Sequence, residues 1–277
     1  MTRKLRGKKF VMRFFPQSIF FFLSVVYSLH SQNGYQEIEV QAGAKISGTV
    51  LLTGKRCDLE RFIISKDEKI CGRSKPPCTL ILGKNFGVKN AIVYIENIEQ
   101  GKKFNANRKP VLNQQKCEYV PHVMIAPLGA QLEILNSDPL LHNVHAYDLI
   151  AGLQTIFNIA QPIRGQRTAI KQTQLNKPGI VYTTCDAGHP WMNAYIMVAE
   201  HPYYALTDEE GNFTLDNVPP GNYTLKLWHE GIHIKEKEMF NGSVTKYHFE
   251  EPYELKKQVS VSPRAQIKLA FGLEIRP

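Results

Sequence analysis

Short runs of β-branched and aromatic residues recur along the chain from residue 46 onward, separated by glycine, proline, asparagine and aspartate. This punctuation is typical of strands joined by turns, and no long stretch of the sequence has helical periodicity. Two-residue alternation is clearest at 223–228, where Leu225 and Leu227 share one face of a predicted strand. The pattern therefore predicts an all-β sandwich fold with strands near 46–52, 91–95, 123–125, 131–135, 180–184, 195–199, 212–215 and 223–228.

The length of 277 residues is enough for two ordinary domains, each with its own hydrophobic core. The segment 207–231 combines a turn, a strand, a Pro-Pro-Gly turn at 219–221 and a second strand. These features resemble the carboxypeptidase regulatory-like family, a small transthyretin-like β-sandwich. The motifs that open this family's module, ISGTV at 46–50 and NAIVYIEN at 90–97, lie far upstream.

This resemblance implies that one sandwich, formed by 40–103 and 201–250, is split in sequence by a second domain at 104–200. Insertion is plausible because the ends of a domain often lie close together, and strands from the two halves would then pair in space. Residues 251–277 would form a C-terminal extension, which adds an edge strand or contacts a partner. Two tandem sandwiches would also account for this order of motifs.

The formal net charge of +9 comes largely from the N-terminus. Residues 1–32 contain no acid, and removing their six basic residues leaves +3, so the charge does not indicate nucleic-acid binding. An apolar run at 19–29 follows the basic cluster and is shorter than the roughly 20 residues that cross a bilayer. This arrangement is typical of a secretory signal peptide at 1–32. We therefore expect an exported protein, periplasmic or extracellular, with no integral membrane segment after signal removal.

The most informative motif is GIVYTTCDAGHPWMNAYIMV at 179–198. A hydrophobic strand leads to Cys185, a short loop contains His189 and Met192, and a new strand begins near Tyr195. A thiolate, an imidazole and a thioether on one short loop form a soft set of donors that suits copper. A second histidine would complete the two-histidine, one-cysteine set with a weak axial methionine that blue-copper sites use.

The second histidine is expected at position 142, within NSDPLLHNVHAY at 136–147. Asn136 followed by the triplet HNV at 142–144 resembles the first ligand region of plastocyanin-type cupredoxins, and 179–198 resembles their ligand loop. The resemblance implies a cupredoxin-like Greek-key sandwich, inserted into the first sandwich or in tandem with it, that holds one copper ion as Cu(I) or Cu(II). The expected ligands are His142, Cys185, His189 and Met192.

Two alternatives concern the number of metal ions. The spacing C-x3-H-x2-M equals the second half of the dinuclear copper loop of cytochrome oxidase, but that site needs a further cysteine where this chain has Val181. One copper is therefore expected. His145, three residues after His142, either acts as an outer-sphere or second-metal residue or points to the opposite face of a strand.

The five cysteines also fit an exported protein, because disulfides persist outside the cytosol. If Cys185 binds copper, the other four can pair, and sequence alone allows three connectivities. Pairing Cys71 with Cys117 would tie the outer sandwich to the insertion and leave Cys57 with Cys78.

A closed site of this kind leaves no open position for a substrate, so we expect electron transfer and no enzymatic activity. The predicted function is one-electron transfer by a mononuclear type 1 (blue) copper, with a redox partner protein such as a cytochrome or an oxidase. The surface around His189, Pro190 and Trp191 is the expected docking face, because this histidine commonly offers the solvent-side edge in related folds. Two other functions stay open: a copper carrier, buffer or sensor without redox cycling, and an adhesion or scaffold module without metal.

Overall fold

The computed structural model describes residues 34–56, 58–104 and 109–276. The predicted signal peptide at 1–32 and Cys57 lie outside the described residues. Within the described part, the regular structure is nearly all β, which confirms the predicted class. The described helical elements are one turn each: α1 (Glu68–Cys71) and the 3-10 segments Lys84–Phe86 and Gln172–Gln174. None of the described helices has the length and hydrophobicity needed to cross a bilayer.

The strands fall into three groups along the chain. The first group is β1 (Gln36–Glu37), β2 (Ala44–Thr53), β3 (Phe62–Ile63), β4 (Ser74–Lys75), β5 (Ile92–Ile95) and β6 (Gln100–Gly101). The second group is β7 (Val111–Gln114), β8 (Tyr119–Val120), β9 (Val123–Pro127), β10 (Glu133–Asn136), β11 (His142–Asp148), β12 (Gln154–Gln161), β13 (Arg167–Ala169), β14 (Gly179–Thr184) and β15 (Asn193–Ala199). The third group is β16 (Tyr204–Leu206), β17 (Asn212–Val218), β18 (Gly221–His229), β19 (Ile234–Phe240), β20 (Ser243–Phe249), β21 (Tyr253–Val261) and β22 (Gln266–Glu274).

Strands β7 to β15 form two sheets around one hydrophobic core, and we call this unit the inner sandwich. One sheet has the order β12-β11-β14-β15-β9, and the other has the order β13-β10-β7-β8. Successive side chains of a strand point to opposite faces, so Val144 and Ala146 of β11 are both buried in this core. Cys185 and Met192 belong to the same cluster of buried residues, so the predicted ligand loop lies against the packed interior.

The outer sandwich is formed by strands that precede and follow the inner sandwich in sequence. Its two sheets have the orders β16-β5-β18-β21 and β17-β2-β22. Strand β2 pairs with β17, where Thr49 lies opposite Asn212, and β5 pairs with β18, where Val93 lies opposite Leu227. The two parts of the chain therefore share one core, which is separate from the core of the inner sandwich.

Residues 251–277, expected to be an extension, supply two strands of the outer sandwich. Strand β21 pairs antiparallel with β18, and β22 runs parallel to β2, with Lys45 opposite Gln266 at one end of the pairing. Phe271 and Leu273 of β22 are buried in the outer core. In β21 and β22 the apolar residues lie mainly on one face of the strand, because the other face is exposed to solvent.

Strands β19 and β20, which lie between β18 and β21 in sequence, form a separate two-stranded hairpin. The hairpin lies within 201–250, yet it packs against the inner sandwich. Tyr247 of β20 contacts Phe62 of β3 with ring centroids 4.8 Å apart, and both side chains belong to the inner core cluster. The β19–β20 hairpin and the segment that contains β3 therefore pack against the inner sandwich, although both lie next to outer-sandwich strands in sequence.

The two sandwiches meet through a third cluster of buried side chains. Tyr195 and Met197 of β15 face Trp228 of β18, with 5.3 Å between the ring centroids of Tyr195 and Trp228. Ala194 and Ile196, the alternate residues of β15, face the inner core. Strand β15 is therefore buried along its whole length, which explains its continuous apolar sequence.

Candidate metal centre

His142 is the first residue of β11, and its position is fixed by the turn that precedes the strand. The Asn136 amide donates hydrogen bonds to the carbonyls of Leu140 and Gln161, each at 2.8 Å, and its oxygen accepts from the amide of Asp138 at 2.9 Å. Asn136 is fully buried, so these bonds satisfy a polar group that burial would otherwise penalise. The turn between β10 and β11 is held in one conformation as a result.

Cys185 and His189 lie on the loop between β14 and β15, and this loop is tied to β11. The Asn143 side-chain oxygen accepts from the amide of Ala187 at 2.9 Å, and the Asn143 amide lies 3.5 Å from Cys185 Sγ. At the other end of the loop, the Met192 amide donates to the His189 carbonyl at 2.9 Å. These bonds bring the loop and the start of β11 to the same place.

The structure brings three of the four predicted ligands together in a buried cluster. The two imidazole Nδ1 atoms of His142 and His189 lie 3.2 Å apart, and Cys185 Sγ lies 3.9 Å from the first and 3.6 Å from the second. Both histidines are fully buried and Cys185 is 2% exposed. Imidazole nitrogens and thiolates bind a zinc-sized ion at about 2.0–2.3 Å, so donors to one ion lie roughly 3–4 Å apart. The three donor atoms have the separations that one such ion requires.

The outer nitrogen of each imidazole is held by a carboxylate. His142 Nε2 lies 3.0 Å from Asp138 Oδ2, and His189 Nε2 lies 2.9 Å from Asp67 Oδ2. A carboxylate accepts hydrogen bonds, so each Nε2 carries the proton and donates it. In the neutral tautomer that results, both Nδ1 lone pairs point at each other and at the sulfur. Three electron-pair donors that converge without a proton between the nitrogens fit a cation at their centre.

Burial favours the neutral, metal-binding form of both imidazoles. Desolvation lowers the pKa of His142 and of His189, and the hydrogen bonds to Asp138 and Asp67 only partly oppose this effect. Desolvation also raises the pKa of the Cys185 thiol, although the Asn143 and Ala187 amides act in the opposite direction. A metal ion that binds here therefore displaces the thiol proton.

Met192, the fourth predicted ligand, is 1% exposed and lies in the inner core cluster with Cys185. Its backbone is fixed by the hydrogen bond to His189. The axial role of Met192, beside the three donors His142, Cys185 and His189, stays a prediction.

His145 points to the opposite face of β11 from His142. Its Nδ1 lies 2.5 Å from Asp186 Oδ2 and 2.7 Å from the Tyr147 hydroxyl, and its Nε2 lies 2.8 Å from the Thr155 hydroxyl. Residues separated by an odd number of positions in a strand face opposite sides, which accounts for this outcome. Of the two alternatives for His145, the structure shows the opposite-face position.

The prediction of an exposed docking face around His189, Pro190 and Trp191 is wrong, because the side chains of His189 and Trp191 are buried. His189 is fully buried and Trp191 is 4% exposed, with the indole nitrogen donating to the Cys117 carbonyl at 3.0 Å. The segment around Asp67, which belongs to the long connection between β2 and β5, covers the imidazole edge that solvent would otherwise reach.

One disulfide lies next to the centre, and it is one of the two that the sequence suggested. Cys71 is bonded to Cys117, which ties the connection containing Asp67 to the inner sandwich. The second suggested pair includes Cys57, which lies outside the described residues, so that pairing stays a prediction.

The sequence did not predict the two carboxylates that are hydrogen-bonded to the candidate ligands. Asp138 lies four residues before His142, and that spacing is a usable signal once His142 is suspected. Asp67 is 122 positions from His189, and the sequence carries no local sign that they meet.

Comparison with known proteins gave local likenesses. A family model, polysaccharide lyase family 4, domain II, matches residues 177–245, which include the end of the inner sandwich and part of the outer one. This family differs from the carboxypeptidase regulatory-like family, so the latter resemblance is not confirmed and stays a prediction. The comparison with curated proteins produced no match.

Three solved structures illustrate a likeness that covers about a third of this chain. A purple cupredoxin from Nitrosopumilus maritimus is 19% identical over 33% of this chain and 100% of its own, with a TM-score of 0.28. Amicyanin from Paracoccus versutus is 23% identical over 34% of this chain and 83% of its own, with a TM-score of 0.28. A copper-containing nitrite reductase from Thermus scotoductus SA-01 is 22% identical over 37% of this chain and 26% of its own, also with a TM-score of 0.28. At these values the likeness concerns part of the fold alone.

Proposed function

We propose that this chain is an exported mononuclear copper protein that transfers single electrons between partner proteins. The observation that carries the proposal is the convergence of two imidazole Nδ1 atoms and one thiol sulfur, with both Nε2 atoms held by carboxylates. Two histidines and a cysteine form the donor set of blue-copper centres. When bound, copper supplies a one-electron couple between Cu(I) and Cu(II).

The protein's own residues would hold the donors in one arrangement and keep water out. His142 is fixed by Asp138, His189 by Asp67, and the Cys185 loop by Asn143. The donors are buried, so a substrate has no direct path to them. A preset and closed site of this kind suits electron transfer better than catalysis, and we propose that the chain is not an enzyme. Its partner would be a redox protein such as a cytochrome or an oxidase.

The first experiment is a titration of the purified protein, with its disulfides intact, with Cu(II), followed by visible absorption and EPR spectroscopy. We expect saturation at one equivalent with an intense thiolate-to-copper band, which Cys185→Ser abolishes. His189→Ala is expected to weaken binding, whereas His248→Ala serves as a matched control, because His248 pairs with Glu238 on the β19–β20 hairpin. Binding without such a band that survives Cys185→Ser would contradict the assignment.

A second measurement separates electron transfer from metal carriage. Reversible reduction and reoxidation of the copper protein, measured by voltammetry, is expected to be fast, because the donors are held rigidly in both oxidation states. Slow redox cycling combined with ready transfer of Cu(I) to a chelator would favour the copper carrier or buffer instead.

A further inference from the structure

A segment from the connection between β2 and β5 lies directly over the predicted ligand loop. We call residues 66–71 the cover. Lys66 Nζ donates a hydrogen bond to the Ala187 carbonyl at 2.6 Å, and the next residue, Asp67, binds His189. A Cβ atom on Gly188 would lie 2.8 Å from the Lys66 side chain, and Gly188 has a φ of +90°. The positive φ at position 188 favours glycine, and the Lys66 side chain lies directly against this turn of the loop.

Asp67 is the cover residue that reaches the metal centre. Its Oδ2 lies 2.9 Å from Nε2 of a fully buried imidazole, while the Asp67 side chain itself is 32% exposed. Asp67 adopts a φ of 55°, a left-handed conformation that is uncommon for a residue with a side chain. The backbone conformation and the hydrogen bond together turn the carboxylate inward, between solvent and His189.

The Cys71–Cys117 disulfide anchors the cover to the other half of the centre. The amides of Ile70 and Cys71 both donate to the Asp67 carbonyl at 2.9 Å, so Asp67 and Cys71 are parts of one tight turn. On the other side of the disulfide, the Cys117 amide donates to Asp138 Oδ2 at 2.7 Å. The disulfide thus connects the turn that contains Asp67 to Cys117, whose amide is hydrogen-bonded to Asp138.

We propose that Asp67 is a positioning residue for His189 and that the cover controls exchange of copper with solvent. The inference rests on the proposed copper site. Copper cannot leave along the His189 edge unless the Asp67–His189 hydrogen bond breaks and the cover moves. Loss of such an outer hydrogen-bond partner typically reduces metal affinity by about 10–100-fold.

Two substitutions at position 67 separate the geometry of the hydrogen bond from its charge. Asp67→Gly removes the carboxylate, and glycine adopts a positive φ without strain, so the turn itself is preserved. Asp67→Asn keeps an oxygen that accepts from His189 Nε2 but removes the negative charge. Glu68→Ala is the matched control, because Glu68 is the next acid in the chain and pairs with Arg73 rather than with His189.

The closing experiment loads each protein with one equivalent of Cu(II) and follows the decay of the thiolate-to-copper band after addition of excess EDTA. We expect copper release from Asp67→Gly to be at least about tenfold faster than from the wild type. Release from Asp67→Asn is expected to be close to the wild-type rate, and release from Glu68→Ala to equal it. Thermal unfolding of the metal-free proteins checks that all four are folded.

The reduction potential supplies a readout that a purely structural role would not change. A carboxylate near the metal stabilises the more positively charged oxidised state, so Asp67→Asn is expected to raise the potential, whereas Glu68→Ala leaves it almost unchanged. Equal release rates and equal potentials in all folded variants would overturn the inference while leaving the copper site intact. A wild-type protein that gives no thiolate-to-copper band would overturn both the site and the inference.

Discussion

Asp138 combines two tasks in one buried side chain. Its oxygens accept hydrogen bonds from the amides of Lys116 and Cys117, each at 2.7 Å, and from His142 Nε2 at 3.0 Å. The same carboxylate therefore fixes the turn after β7 and the orientation of a predicted ligand. A substitution at this position should affect folding and metal binding together.

We expect Asp138→Ala to lower the affinity for Cu(II) by about 10–100-fold, because His142 loses the partner that fixes its tautomer and orientation. Competition with a chelator of known affinity measures this change. Asp148→Ala is the control, since Asp148 also accepts from two backbone amides, those of Ile150 and Ala151, but lies on another turn. An equal change of affinity in both variants would argue against a role for Asp138 in the centre.

His201 should make the stability of the protein depend on pH. It is 1% exposed, its Nδ1 accepts from the Tyr203 amide at 3.2 Å, and burial lowers its pKa from 6.5 to about 4. Between pH 4 and pH 6.5, His201 therefore binds a proton more readily in the unfolded chain than in the folded protein. The contribution of His201 to the free energy of unfolding is therefore complete above pH 6.5 and is lost as the pH falls toward 4.

We expect His201→Asn to remove this part of the pH dependence, because asparagine offers an acceptor to the Tyr203 amide but does not titrate. The free energy of unfolding of the wild type should fall by up to about 1.4 kcal/mol more per pH unit than that of the variant between pH 6.5 and 4. Urea unfolding of the metal-free proteins at several pH values measures the difference. Parallel pH profiles would show that His201 titrates normally in the folded protein.

At the scale of elements, the disulfide is the main covalent link between the cover and the inner sandwich. Replacing Cys71 and Cys117 together by serine should lower the free energy of unfolding by about 2–5 kcal/mol, because the unfolded chain gains freedom. The same variant should release copper faster than the wild type, since the turn that holds Asp67 loses its anchor. Urea unfolding and the EDTA assay give the two values, and a release rate equal to that of the wild type would contradict the anchoring role.

The sequence was sufficient for elements whose apolar residues alternate clearly. The strand predicted at 46–52 lies within β2, and the strand predicted at 212–215 lies within β17. Strands β19 and β20 were missed because their residues are mostly polar and one face is open to solvent. The ligand motif was equally readable, since Cys185 and His189 are close in sequence. The position of Asp67 was not predictable, because it depends on how a distant connection packs over the loop.

At the scale of the whole molecule, the contact between the sandwiches is a structural element in its own right. Trp228 is 3% exposed and packs on Tyr195 across this contact, on the face of β15 that points away from the inner core. Trp228→Ala should therefore cost about 3–5 kcal/mol of stability and leave the copper spectrum unchanged. Thermal unfolding and absorption spectra test both expectations, and an altered thiolate-to-copper band would show that the contact reaches the metal centre.

The parallel pairing of β2 with β22 has a consequence for the order of folding. The strands of the inner sandwich lie next to one another in sequence, whereas β2 must wait for a partner near the other end of the chain. Contacts between distant residues form slowly, because a large loop must close first. If the chain is exported from its N-terminus, as proposed above, β2 would emerge early and remain without β22 while the inner sandwich folds. The inner sandwich, which contains the candidate metal centre, is thus expected to acquire its structure before the outer sandwich that encloses it in sequence.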